Sequence, residues 1–178
     1  MAEFHAPPDA LPFFRTLFQR GVGVAIQTGV TLEDLLCRQW QIDRDYVMNR
    51  ISTLFLDAKP VDDLAAAVVE DGATLALSGA MPGLIGATMR RGGVLAPFRS
   101  GITYCASAAP HTSGDGRITL KLFNLLIDEL GPRFLARGVW IERSRLAEHF
   151  PGHPDLSGVG NGAVCVVMPT LRTTADTP

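Results

Sequence analysis

The sequence predicts an α+β protein whose two halves share one hydrophobic core. Runs of alternating apolar and polar residues, which are typical of strands, occur in both halves, and so do runs with the apolar spacing of helices. The chain has 178 residues, 47% of them hydrophobic, which is enough to bury a full-sized core. We expect an irregular, proline-containing arm at residues 1–12, a first lobe at 13–93 and a second lobe at 94–178.

The first lobe is predicted to contain three strands and a helix. Alternation predicts a strand in GVGVAIQTG, residues 21–29. A helix is predicted at about 32–40, because its entry has capping-box spacing and its leucines fall on one face. A β-rich run at 51–56 ends at a turn where Pro60 cannot continue a central ladder. A further strand, ATLALS, follows the turn signal EDG at 70–72.

The second lobe is predicted to combine a β-hairpin, a long helix and two strands. Two strand-like runs flank HTSGDG, and Asp115-Gly116 favours the turn of a hairpin between them. A helix is predicted over 122–135, with a break or kink at Gly131-Pro132 and Gly138 as its C-cap. A strand VWIE, a helical RSRLAEHF and a strand AVCVVM complete the lobe.

Charge and cysteine usage indicate the class of protein. The net charge is -2 and the pI is about 6.1, so we expect no nucleic-acid partner. Three cysteines far apart in the chain favour reduced thiols and a cytoplasmic protein. The uncharged stretch 72–89 is as long as a membrane span, but it holds four glycines and a proline, so we expect no membrane partner.

One part of the first lobe resembles a known family. From Gly23 to Gly86 the predicted order is strand, VTLEDLL helix, strand, DAKPVDD turn, EDGATLAL strand and a tail of small residues. This order resembles the ubiquitin-like β-grasp proteins, in particular the sulfur carriers of thiamin and molybdopterin synthesis and the TGS domains. The matching positions are Gly29, Thr31, Leu32, Leu35 and Leu36 at the helix entry and Asp71, Gly72, Leu75 and Leu77 before and within the last strand. The resemblance implies a β-grasp-like first lobe.

The departure from the family concerns the end of that lobe. A sulfur carrier ends in a free Gly-Gly, whose carboxylate becomes a thiocarboxylate. Here Gly92-Gly93 follow MRR, but 85 residues come after them. Carrier chemistry therefore requires cleavage after Gly93, and the interpretation we favour is a turn between two apolar segments.

The stretch SGAMPGLIGATMRRGG, residues 78–93, is the predicted ligand or interface segment. It has neither of the two glycine-rich phosphate signatures, G-x-x-x-x-G-K-[ST] and G-x-G-x-x-G. Its adaptable apolar side chains and following arginines are typical of a cleft or an interface, although a buried connector between the lobes is the more ordinary explanation of such a stretch. The candidate ligand or interface residues are Met81, Gly83, Gly86, Met89, Arg90, Arg91 and Arg99.

Catalytic signatures are sparse. The chain has no G-x-S-x-G elbow, and no cysteine carries a recognisable activating neighbour. His149, His153 and Asp155 form a conceivable loop metal site, although Pro151-Gly152 interrupts any helix between the histidines. No motif identifies a cofactor.

These observations favour a cytoplasmic, non-enzymatic protein that binds a small ligand or a protein partner and forms a homo-oligomer. The first alternative is a metal-assisted or acid-base enzyme with a cleft between the lobes. The second is a sulfur carrier released by cleavage after Gly93.

Overall fold

A mixed sheet of eight strands runs through both halves of the chain. The structure is a computed structural model and describes residues 3–6, 10–106, 111–153, 156 and 162–168. Its strands are β1 (Glu3–His5), β2 (Val22–Thr28), β3 (Val30–Thr31), β4 (Thr53–Leu56), β5 (Lys59–Pro60), β6 (Val68–Val69), β7 (Thr74–Ser78), β8 (Gly114–Phe123), β9 (Val139–Glu142) and β10 (Ala163–Val167).

The large sheet has the order β1-β10-β9-β2-β8-β7-β4-β5, and β3 pairs with β6 in a separate ribbon. β1 and β10 are parallel, as are β7 and β8, while the other neighbours are antiparallel. The long strand β8 lies between β2 and β7 and pairs with both along their length. A strand of the second half therefore joins two strands of the first half.

The helices cover mainly one face of this sheet. They are α1 (Leu11–Arg20), a π-helical segment (Asp34–Gln39), α2 (Arg44–Asn49), α3 (Gly83–Met89), a 3₁₀ segment (Ala96–Ile102), α4 (Leu126–Arg137) and α5 (Arg143–Ala147). α1 and α4 pack against each other and against β8. Within the described ranges, no helix has the length and apolar character needed to cross a bilayer.

The core lies between these helices and the sheet. Strand side chains alternate between the two faces, so Leu120 and Leu122 of β8 are buried while Thr119 and Lys121 face the other way. The buried side chains of both halves form one cluster, which includes Phe14 of α1 and Phe134 of α4. The α+β class is thus confirmed.

The predicted hairpin at Asp115-Gly116 is wrong. Both residues lie within β8, where they pair with Gln27 and Ile26 of β2. Of the chain just before β8, the structure describes residues 103–106 and 111–113, and these form no strand. A Cβ at position 116 would overlap Thr28 Cγ2 and lie 2.8 Å from an Asp71 carboxylate oxygen. The glycine therefore permits close packing inside the sheet and does not form a turn.

Two further expectations also need correction. Helix α4 continues through Gly131-Pro132, so the predicted break does not occur. Gly131 is buried against Phe18 of α1, so this glycine allows the two helices to approach. The arm at 1–12 is not irregular throughout, because Glu3–His5 forms β1 and α1 begins at Leu11.

Candidate functional site

A groove of about 710 Å³ lies between α3 and the face of β4, β7 and β8 that points away from the core. The sheet forms its floor with Phe55, Ala76 and Phe123, and the wall opposite is formed by Met81 and Ile85. These side chains make the groove predominantly apolar. Its volume lies in the range of about 300–1,000 Å³ that small-molecule sites occupy.

Strand periodicity explains why β7 provides a floor to the groove. Leu75 and Leu77 point into the core, so Thr74, Ala76 and Ser78 point to the opposite face. Ala76 is small, which leaves space above the sheet at this point. The groove therefore follows from the same alternation that predicts the strand.

Gly86 allows helix α3 to pack closely against the segment that leads into it. This residue is buried, and a Cβ on it would overlap the backbone carbonyl of Met81. Pro82 precedes the helix, and Gly83 begins it with a φ of +77°, a conformation that favours glycine. Of the predicted ligand residues, Met81 and Gly86 line the groove, while Gly83 sets the entry of α3.

Lys121 is the one ionisable side chain among the described residues that line the groove. Within the described part of the chain it has no ion-pair partner. Asn124, which also lines the groove, donates from Nδ2 to Ser78 Oγ at 3.0 Å. The groove thus combines apolar walls, one unpaired cation and a short polar edge.

Arg99, a predicted ligand or interface residue, stabilises the connector between the halves, residues 78–99, through hydrogen bonds. It is 3% exposed, and its guanidinium donates to both carboxylate oxygens of Asp62 at 2.7 and 3.0 Å. It also donates from Nε to the Thr88 carbonyl at 2.8 Å. Burial favours the neutral carboxyl of Asp62, but hydrogen bonds from Arg99 and the Gly92 N–H outweigh it, so the pKa of Asp62 lies below its ordinary value.

The side chain of Arg91 likewise forms hydrogen bonds with the backbone. Its Nη2 donates to the carbonyls of Val47 and Met48 at 2.9 and 3.2 Å, near the end of α2. Burial lowers the pKa of Arg91, and its Nη1 is buried without a hydrogen-bond partner among the described residues. Arg90 is exposed and Met89 is half-buried. The three predicted arginines therefore do not line the groove together with Met81 and Gly86.

The histidines of the predicted metal site each contact an aromatic ring. His149 lies over Phe13 with ring centroids 3.8 Å apart, and His153 meets Phe4 edge to face at 4.9 Å. Asp155 lies outside the described residues. In the part of the chain that the structure describes, no group of three His, Cys, Asp or Glu residues is placed to hold a metal ion.

Sequence reasoning did not identify Lys121, Phe123 or Phe55 as groove residues. A possible signal is composition, because Lys121 is one of only two lysines in the chain and follows an apolar position of a strand. Lys121 and Phe123 reach the groove because β8 pairs in parallel with β7, which places Lys121 beside Ala76.

No family model, curated protein or solved structure matches the chain.

Proposed function

We propose that this protein binds a small, mostly apolar ligand carrying one anionic group, without catalysing a reaction. The observation that carries the proposal is the apolar groove under α3 with an unpaired lysine among its lining residues. Met81 and Gly86, which the sequence indicates as ligand residues, belong to this groove.

The chemistry of the groove selects this class of ligand. Apolar walls favour a ligand that loses hydrocarbon surface to them, at about 25 cal/mol per Å² removed from water. In this proposal the aliphatic stem of Lys121, whose far end lies near Gly21, extends the apolar surface, and its ammonium group attracts an anion from the margin of the groove. A partly desolvated ion pair is stronger than one in bulk water, so the anionic group orients the ligand.

A binding experiment with an apolar anion tests the proposal. We expect the fluorescent probe 1-anilinonaphthalene-8-sulfonate to bind the native protein saturably, with one site per chain. Lys121→Met removes the cation and keeps the stem, so we expect affinity to fall by about tenfold, as for the loss of one charged hydrogen bond. Titration by fluorescence at fixed ionic strength measures this change.

The chain provides a matched control, because Lys59 is its other lysine and is exposed on β5, outside the groove lining. Lys59→Met makes the same change in net charge and should leave the affinity unchanged. Equal weakening by both variants would show that the probe senses net charge and not the groove. The absence of saturable binding to the native protein would refute the proposal.

The expected homo-oligomer stays part of this proposal. Its support is the apolar surface around α3 and the 3₁₀ segment, where Leu84 is 75% exposed, Phe98 84% and Val94 94%. A second copy of the chain would cover these side chains. Sedimentation velocity on the native protein and on Phe98→Ser tests this: we propose a dimer for the first and a monomer for the second.

For the fold, we propose that the β-grasp-like unit expected within residues 13–93 also includes β8 of the second half, and is formed by β2, β8, β7, β4 and β5. A β-grasp sheet has two parallel strands at its centre, with antiparallel neighbours on both sides. The support here is the parallel pair β7 and β8, flanked by antiparallel β4 and β2. In this interpretation β8, which comes late in the chain, takes the position of a first strand.

A further inference from the structure

A second cleft, of about 280 Å³, lies on the same face of the sheet, which points away from the core, but on the other side of β8. It is bordered by β2, β8 and β9 and by α5. Its lining differs from the groove in chemistry, because it contains the basic side chains Arg20, Arg117 and Arg145 together with Trp140. None of these four residues lines the groove under α3.

Arg117 and Trp140 are stacked in this cleft. The guanidinium carbon of Arg117 lies 3.9 Å from the centroid of the Trp140 ring. Gly23 makes this possible, because a Cβ on it would lie 2.8 Å from Trp140 Cβ and 3.0 Å from Arg117 Cδ. Stacking holds the planar guanidinium in one orientation and leaves its N–H edge available, so less entropy is lost when it binds an anion.

The charges of the cleft are unbalanced. Arg20, Arg117 and Arg145 form no ion pair with any carboxylate in the described ranges. Glu142 is the one acidic residue among the described lining residues. Like charges placed together repel each other, and a bound anion with more than one negative charge removes this repulsion while accepting several charge-assisted hydrogen bonds.

We propose that this cleft is a binding site for a small oxyanion of at least two negative charges, of the phosphate-ester type. Arg117, pre-oriented on Trp140, donates to the oxyanion from its free edge, and Arg20 and Arg145 neutralise the remaining charge. The cleft and the groove share no described lining residue.

The test uses the full chain labelled with 5-fluorotryptophan and inorganic pyrophosphate as the probe. The chain has two tryptophans: Trp140 lines the cleft, and Trp40 is buried against Phe134 and serves as an internal reference. We expect pyrophosphate, at constant ionic strength, to shift the ¹⁹F signal of Trp140 saturably and to leave that of Trp40 unchanged. Arg117→Gln and Arg145→Gln should each weaken binding by about tenfold or more.

Arg38→Gln is the matched control, because Arg38 is exposed, lies outside the cleft and pairs with Asp34. It makes the same change in net charge and should leave the pyrophosphate affinity unchanged. A linear, unsaturated shift, or equal weakening by Arg38→Gln, would overturn the proposal in favour of general charge attraction. Movement of both tryptophan signals together would also overturn it, because the response would not be local.

Discussion

At the scale of single residues, the ion pair of Arg99 and Asp62 ties the connector to the first half of the chain. Arg99 joins the carboxylate of Asp62 to the carbonyl of Thr88, and the same carboxylate accepts the N–H of Gly92 at 3.0 Å. A buried guanidinium without these acceptors would be costly. Arg99 therefore has a structural role, and because its guanidinium is bound to Asp62 and Thr88 it is not available to a ligand.

Replacing Asp62 by Asn tests that role. The substitution keeps the side-chain shape and removes the charge that accepts from Arg99, so we expect the free energy of unfolding to fall by about 2 kcal/mol at neutral pH. Chemical denaturation with urea measures it. Asp45→Asn, at an exposed position of α2, is the control and should change stability by less than about 1 kcal/mol.

The same substitution has a consequence for pH dependence. Because the folded pKa of Asp62 is depressed, its contribution is complete above the unfolded pKa of about 3.9 and is lost as the pH falls through the folded value. Stability of the native protein should thus fall below about pH 4, and the fall should be shallower in Asp62→Asn. An identical slope in both proteins would mean that Asp62 does not contribute to acid unfolding. The stability of Asp62→Asn should still decrease with falling pH to some extent, because hydrogen bonds from Arg50 and Tyr46 also lower the pKa of Glu129.

At the scale of elements, the hairpin between β4 and β5 contains a strained position. Asp57 and Ala58 both have positive φ, 49° and 63°, which is the conformation of a tight two-residue turn. A side chain at such a position costs about 1 kcal/mol, and glycine does not incur this cost. We expect Ala58→Gly to stabilise the protein by about 0.5–1 kcal/mol, measured as the shift of the urea midpoint.

The matched control for this turn is Ala65→Gly. Ala65 is exposed and its φ is not positive, so glycine gains nothing in the folded state and adds freedom to the unfolded chain. It should therefore destabilise the protein. If Ala58→Gly were destabilising as well, the conformation assigned to the turn would be wrong.

Most elements could be predicted from the sequence, because alternation and helical spacing are local signals. The strands β2, β4, β7, β9 and β10 and the long helix α4 follow from them. The sequence wrongly predicted a turn at Asp115-Gly116 and a break at Gly131-Pro132. The glycines there allow close contacts with residues distant in the sequence, and local patterns do not reveal such contacts. For the same reason the groove was only half predicted: Met81 and Gly86 come from one segment, whereas Lys121 reaches them through the pairing of β7 with β8.

At the scale of the whole molecule, β8 determines how the two halves depend on each other. It occupies the position between β2 and β7, so a chain ending at Gly93 would leave both strands with an unpaired edge. Gly92, in the Gly92-Gly93 turn, is exposed. Beyond this turn, Arg99 forms an ion pair with Asp62 of the first half. Cleavage after Gly93 would therefore produce a nicked protein whose parts remain associated, and not a free carrier.

Cutting the chain at that turn tests this dependence. A protease recognition site inserted between Gly92 and Gly93 allows the folded protein to be cleaved in place. We expect the two fragments to elute together in size-exclusion chromatography and to separate in urea, because β8 remains paired with β2 and β7 after the cut. Expressed alone, residues 1–93 should show no cooperative thermal transition by circular dichroism, and addition of residues 94–178 should restore it. A cooperative transition in the first fragment alone would instead identify residues 13–93 as an independent lobe and revive the released carrier, since that lobe would not need β8.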